Sequence, residues 1–366
     1  MAYAVYSRGL ACLYGLTRDP RHLIGALAAR DRLLELSETF AWGLPFGSRG
    51  LPANQPYAVT TALAGSAFLE LLRIDPTDRV SALALEQTCR WLTRELPWTT
   101  QVTGAAPWYS PGFSAVTINV AALVGGLLAE ASEFIVDEVF ERRTDAALSY
   151  VRSTQHPFGM WPYGESDPIS IEGFPWAAVV DSVHTGYTLE GLLAQLTRRC
   201  VTGSPTHDGL VESIVVGFRF LKTFLIDDAG RLNEKVVIAA ASDPRTRTLL
   251  GRRALHRYFV ERDRWLVKVP GEARTWSYGA VLRSCARASE LGVFDVATAL
   301  ELFARLHRTQ LASASGRFGY RSDDGRVFPR HEAHLFDGVC ALLAALESRK
   351  TLTLRPAETA IEQLAL

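Results

Sequence analysis

One turn recurs along this chain, and its recurrence restricts the fold more than any other feature. Gly159-Met-Trp161-Pro-Tyr163-Gly164 is echoed by Gly316-Arg-Phe318-Gly-Tyr320-Arg321 and by Trp276-Ser-Tyr278-Gly279. Fainter copies are Pro107-Trp108-Tyr109 and Trp42-Gly-Leu-Pro-Phe46-Gly47. Between the copies, apolar residues return at intervals of three and four, the period of an amphipathic helix. The period predicts helices at roughly 22–38, 57–73, 79–95, 113–131, 135–154, 181–198, 207–225, 246–260, 278–291, 295–310 and 333–348. Loops dense in Gly, Pro and aromatic residues separate them, at 41–56, 97–112, 156–177, 226–235, 262–277 and 312–330. Strand signals are nearly absent. Regular alternation of this kind is the mark of a helical-hairpin array.

The helices fall into two compositions. Those after the aromatic turns (57–73, 113–131, 181–198, 278–291 and 333–348) are rich in Ala, Gly, Val and Leu, whereas the others carry more Arg and Glu. A helix that is apolar all round is buried and a one-sided helix lies outside it. The expectation is an all-α chain, an (α/α) barrel or toroid of five to six hairpins forming one domain over 1–366. Residues 1–40 are expected to add a peripheral outer helix or an interface segment.

Charge balance excludes some partners. Thirty-nine basic residues offset thirty-nine acidic ones, so nothing favours nucleic acid or an anionic membrane surface. Five scattered cysteines (Cys12, Cys89, Cys200, Cys285, Cys340) form neither a disulfide framework nor a CxxC pair, which fits a reducing, cytoplasmic setting. The N-terminus lacks a basic region followed by an apolar core, and the longest apolar run, 115–129, is too short for a membrane span. No GxGxxG or Walker loop occurs. His331-Glu-Ala-His334 lacks zincin spacing, so neither a cofactor nor a metal is expected.

In such a barrel all inner helices run the same way, and their N-terminal ends meet at one mouth. The unusual polar residues cluster in front of these helices: Tyr109 before one; Asp181, His184 and Tyr187 opening another; Arg274, Trp276 and Tyr278 a third; Arg330, His331 and His334 a fourth. Asp181, His184 and Tyr187 follow helical spacing and share a face. His184, Asp181, Tyr187 and His334 are therefore the candidate catalytic groups. Trp161, Tyr163, Glu165, Trp276, Tyr278, Arg330, His331 and Tyr109 are candidates for contacting substrate. Each has a plainer alternative: Asp181 as a helix cap, the turn aromatics as packing groups, and Glu165 as part of a solvated loop.

Tyr150-x4-Gln155-x3-Gly159-x-Trp161 resembles the QW-type repeat of α/α-toroid proteins such as terpene cyclases and prenyltransferases. In that repeat the Gln and the aromatic turn tie an outer helix to the next inner one. The Asp-Asp-rich motifs of the cyclases are missing, as is the zinc set of the prenyltransferases. Trp161-x-Tyr163-Gly164-Glu165 followed by Asp181-x-x-His184-Thr-Gly-Tyr187 is similar to α/α-toroid proteins encoded with bacterial polysaccharide biosynthesis genes. That resemblance implies a sugar or oligosaccharide partner and association with other biosynthetic proteins. An aromatic-lined cleft carrying Asp, His, Tyr and Arg suits carbohydrate chemistry. Proton abstraction beside a carbonyl or carboxylate suits it best, as in a uronate epimerase or lyase. A glycosidase pairing Glu165 with Asp181 and a non-catalytic glycan-binding scaffold are the alternatives.

Overall fold

The computed structural model describes the chain except residues 38, 48–49, 165–177, 203–206, 241–256, 262–263, 313–316 and 354–366. Six helices are enclosed by their neighbours: α1 (Ala2–Thr17), α3 (Ala58–Ile74), α5 (Ile118–Ala131), α7 (Ser182–Thr202), α9 (Thr275–Glu290) and α11 (Pro329–Thr353). Each packs on the next, and α11 returns to α1, closing a ring. Outside it lie α2 (Pro20–Glu35), α4 (Arg79–Arg90), α6 (Glu138–Ser153), α8 (His207–Phe220) and α10 (Val296–Gln310), each against the inner helix that precedes it. This is an (α/α) toroid. The first helix corrects the sequence reading: Ala2–Thr17 is not peripheral but the sixth member of the inner ring. Its Ala4, Val5, Leu10 and Ala11 are buried, and so is Arg8.

Composition explains the two layers. Every residue of α5, from Ile118 to Ala131, is buried, and small side chains let backbones approach. Gly279 of α9 has no room for a Cβ against the His334 carbonyl, and Gly338 has none against Gly279. The outer helix α6 instead buries one stripe (Phe140, Thr144, Ala147, Leu148, Val151) and starts from Asp137, whose carboxylate caps Val139 N–H at 2.8 Å. Asp19 and Asp78 cap α2 and α4 in the same way.

Three inner helices are capped differently. Tyr57, Thr117 and Arg274 precede α3, α5 and α9 without a side-chain cap. The first amides of these helices, Ala58, Ile118 and Thr275, donate instead to the carbonyls of Tyr109, Tyr163 and Tyr320, at 2.9, 3.4 and 3.1 Å. Each of those tyrosines belongs to the aromatic turn of the following hairpin, so the repeated turn satisfies exposed N–H groups one repeat back. Tryptophans in or near the turns face the other way. Trp42 and Trp161, from two copies, and Trp98, ahead of the Trp108 copy, donate their indole N–H to the Leu33, Val151 and Leu92 carbonyls at 2.8, 3.0 and 2.8 Å, while Trp108 itself donates to Thr99 Oγ1 at 2.7 Å. Gln155 adds a third tie. Its amide donates to the Gly159 and Ser213 carbonyls and accepts from the Ser213 hydroxyl, binding the turn to α8. Gly159 has φ +87° and no space for a side chain against Val216.

Strands are the second correction. Short ladders pair β1 (Trp98–Thr100) with β2 (Ala105–Pro107), and β7 (Leu311–Ala312) with β8 (Arg317–Phe318). A larger antiparallel sheet joins β3 (Val179–Asp181), β4 (Asn233–Ala240), β5 (Arg257–Glu261) and β6 (Arg264–Glu272) in the order β3-β4-β6-β5. Residues 233–235 and 264–272 were expected in loops and 257–260 in a helix; the rest of the expected helix 246–260 lies outside the described residues. A short apolar run such as Val236-Val237-Ile238, with both valines fully buried, is continuous and does not alternate, so no strand period can be read from it.

Candidate active site

The sheet delivers the first site residue. Asp181 ends β3, and its neighbour in register is Lys235 of β4. As the chain turns into α7, Asp181 Oδ1 accepts the His184 backbone N–H at 2.8 Å, while Oδ2 lies 2.5 Å from His184 Nδ1. Asp181 is thus both cap and partner of the imidazole. Burial alone would raise its pKa, but the His184 contacts and the Arg274 guanidinium hold it below the ordinary carboxylate value. Tyr163 is buried and meets the His184 ring edge-on at 4.4 Å. His184 is partly exposed, with 22% of its side chain open, whereas the other residues of α7's first three turns are buried. Among the described residues nothing hydrogen-bonds its Nε2.

Tyr187 and His334 are close but lie deeper. The Tyr187 hydroxyl is 2.7 Å from His334 Nε2 and accepts the Trp276 indole N–H at 2.6 Å; His334 Nδ1 is 2.7 Å from the Arg330 carbonyl. A carbonyl can only accept, so Nδ1 carries the proton and Nε2 receives that of the tyrosine. Burial pushes the Tyr187 phenol up and the His334 imidazole well down, keeping both neutral. Both side chains are covered, so they support the rim more than they face it.

Trp276 forms the rim above them. Arg330 stacks over its ring at 4.4 Å and Arg274 lies 5.6 Å from it. Arg274 is paired with Glu234 of β4 at 2.5 Å. Arg330 has no carboxylate partner among the described residues, and burial lowers its pKa. His331 is buried between Trp276, Tyr320 and Phe328, and burial and neighbouring arginines bring it down to about 3. Its Nδ1 has no partner among the described residues, nor have the buried Thr60 Oγ1, Asn119 Oδ1 and Ser277 Oγ. All four lie at the second or third position of an inner helix, at the same end of the barrel.

Below the rim the barrel is closed by ion pairs. Arg8 of α1 reaches Glu190 (2.7 Å) and Asp337 (2.5 Å), and Arg283 reaches the same two at 2.9 and 3.1 Å and Glu70 at 3.4 Å. Arg287 and Arg73 hold Glu130 at 2.6 and 3.2 Å. All six inner helices contribute, and Glu190 and Asp337 stand one turn below Tyr187 and His334. The cleft is a blind cup rather than a pore.

Two expected substrate contacts go elsewhere. Trp161 is buried with its N–H given to Val151, and Tyr278 is buried with its hydroxyl donated to Glu272 at 2.9 Å while accepting Leu232 N–H at 3.1 Å. Both are packing groups, because these bonds and core neighbours absorb them. Tyr109 is half-buried, edge-on to Tyr57 at 5.2 Å, with its carbonyl capping α3. Glu165 lies outside the described residues. Sequence reasoning missed Glu234, carried by an unrecognised strand, and Arg8, in a helix read as peripheral. Among the described residues no cluster of three or more His, Cys, Asp or Glu side chains is arranged to hold a metal ion, and no helix is long and apolar enough to cross a membrane.

No family profile matches the chain, and no curated protein matches it by sequence. Solved structures do. A glycosyl hydrolase family 88 protein from Bacteroides vulgatus superposes with TM-score 0.62 at 11% identity, over 95% of this chain and 91% of that one. The likeness is one of fold. An α-1,6-mannanase from a Salegentibacter species gives TM-score 0.63 at 11% identity, covering 95% and 89%. The cellobiose 2-epimerase of Spirochaeta thermophila gives 0.62 at 11%, covering 96% and 86%. These neighbours are α/α toroids named for action on carbohydrates.

Proposed function

We propose that this chain is a carbohydrate-active enzyme that moves a proton at a carbon beside a carboxylate, as a uronate epimerase or lyase does. The observation that carries the reading is one rim holding a carboxylate-oriented imidazole, His184 on Asp181, together with Arg330, a cation without an acidic partner among the described residues. Arg330 and Arg274 suit a uronate carboxylate. Trp276 offers a flat face to a sugar ring, and the unpartnered Thr60, Asn119 and Ser277 atoms suit sugar hydroxyls. His184 Nε2 takes the proton from the carbon next to the carboxylate, and Asp181 stabilises the resulting imidazolium. The electron pair passes into the carboxylate under Arg330. A proton returned from the opposite face gives the epimer; departure of the neighbouring oxygen substituent gives the unsaturated sugar. Tyr187 and His334 are positioning residues that fix Trp276.

The fold neighbours named as a hydrolase, a mannanase and an epimerase support the substrate class. A glycosidase would need a second carboxylate across the cleft; Glu165, the sequence's candidate, lies outside the described residues, and Glu234 is paired with Arg274. In this reading the enzyme works in cytoplasmic polysaccharide biosynthesis beside other biosynthetic proteins, and its turns are of the QW type. The burial of Tyr187 and His334 favours, as a second reading, a glycan-binding toroid without turnover. Incubation with uronate-containing oligosaccharides, followed for epimer ratio and for absorbance of an unsaturated product, separates the readings. Turnover lost in His184→Ala supports the enzyme; binding without turnover in the wild type supports the scaffold.

A further inference from the structure

A second cavity opens beside the rim. It measures about 660 Å³ and lies between the segments preceding α3 and α11 and the start of α1. Leu33, Leu36, Trp42, Leu44, Phe46 and Phe328 are the large apolar residues of its wall. Its polar end is built by Tyr320, Arg326, Arg330 and His331, and no acidic side chain among the described residues lines it. Arg326 is neutralised by Asp324 at 2.6 Å, and the Met1 amino group, which also lines the cavity, is brought down to about 5 by burial and by Arg330; this leaves Arg330 as the guanidinium without an acidic partner among the described residues. The volume lies within the roughly 300–1,000 Å³ of small-molecule sites. Leu36 and Phe46 stand more than half exposed at its edge, an arrangement that costs free energy in water unless something apolar covers them.

We propose that this cavity holds an apolar aglycone, so that the substrate is an amphiphile: an anionic sugar at Arg330 and Trp276, joined to a hydrocarbon body that lies along Trp42, Leu36 and Phe46. The proposal rests on the uronate reading of the rim and adds what the sugar is attached to. Charge complementarity decides the orientation. The anion faces Arg330, which the cavity and the Trp276 face share, and the hydrocarbon runs toward the wall that carries no charge.

The test is calorimetric titration of the full chain with methyl, phenyl and octyl β-D-glucuronide, each below its aggregation concentration, with octyl β-D-glucoside as the neutral-head control. A buried methylene strengthens binding by about 4-fold, from ~0.8 kcal/mol. Even partial burial of the octyl chain then makes the octyl glucuronide about 100-fold tighter than the methyl. Leu36→Asp and Phe46→Asp, at exposed positions where folding is safe, shrink that ratio about 10-fold or more. A phenyl glycoside as tight as the octyl identifies a compact aryl body; an octyl preference identifies an extended chain. Equal binding of methyl and octyl glucuronides overturns the aglycone site and leaves the uronate reading intact. Equal binding of octyl glucoside and octyl glucuronide overturns the anionic head. No binding by any glucuronide overturns the uronate reading and this proposal together.

Discussion

The Tyr187 hydroxyl is 2.7 Å from His334 Nε2 and accepts the Trp276 indole N–H at 2.6 Å, joining α7, α9 and α11 at one point under the rim. With His334 Nδ1 given to the Arg330 carbonyl, one proton arrangement satisfies every atom. Tyr187→Phe removes a group that donates once and accepts once, stranding a buried imidazole nitrogen and the Trp276 N–H. Leaving a buried polar group unpaired costs about 1–3 kcal/mol. Urea unfolding should register a loss of that size, and sugar affinity should fall because Trp276 is no longer held.

The closed floor of the cup gives a second expectation. Removing one partner of a buried ion pair strands the other charge and costs about 3–5 kcal/mol. Arg283→Met should lose stability in that range by chemical denaturation, since Glu190 and Asp337 would share Arg8 alone. Arg32→Ala, at a pair exposed to solvent and screened by it, should leave the denaturation midpoint essentially unchanged.

Acid should destabilise the protein in two stages. His331, brought from 6.5 down to about 3 by burial and by Arg330, Arg274 and Arg321, stays neutral when folded but protonates in the unfolded chain below pH 6.5, and His334 is lowered likewise. The unfolded state then binds more protons, so this contribution is complete above pH 6.5 and is lost as pH falls toward 3. Glu130 follows at lower pH: burial raises its carboxyl, but Arg287 and Arg73 outweigh it and bring it from 4.5 to about 2. Its contribution is complete above 4.5 and is lost as pH falls toward 2. Unfolding midpoints measured from pH 8 to 3 should decline from about pH 6.5, and His331→Asn should flatten the first part of the decline.

Trp161 and Trp276 test the division between architecture and site. Trp161→Phe keeps one aromatic ring but loses the Val151 hydrogen bond and part of the buried indole, so stability should drop by about 1 kcal/mol or more with glucuronide affinity retained. Arg330→Met removes the rim cation, and a charge-assisted contact of about 1.5–3 kcal/mol corresponds to affinity weakened by roughly 10- to 100-fold. Titration of both variants with methyl β-D-glucuronide checks the contrast.

The barrel was legible because its determinants are periodic. Helices α5 and α6 differ in residue pattern as inner and outer helices must, and three of the aromatic turns share one backbone tie, a tyrosine carbonyl that takes the first amide of an inner helix. Helix α1 was missed because Arg8 breaks its apolar face, and only the pairing with Glu190 and Asp337, far along the chain, makes an arginine an interior residue there. The pair Asp181–His184 was readable, being local and in helical register. Glu234 was not, since its relation to Arg274 is made by a strand whose first residues, Asn233-Glu-Lys, carry no apolar alternation. Trp161, Tyr278 and Trp276 look alike as residues; the first two end in core hydrogen bonds and the third on the rim, a difference set by tertiary packing alone.

The most direct test of the central claim is hydrogen exchange at the sugar carbon beside the carboxylate. Octyl β-D-glucuronide incubated with the protein in D2O and followed by proton NMR should lose its C5 proton signal with the wild type and keep it with His184→Ala. A C5 signal that persists with the wild type, or one that vanishes equally with His184→Ala, would contradict His184 as the base of this site.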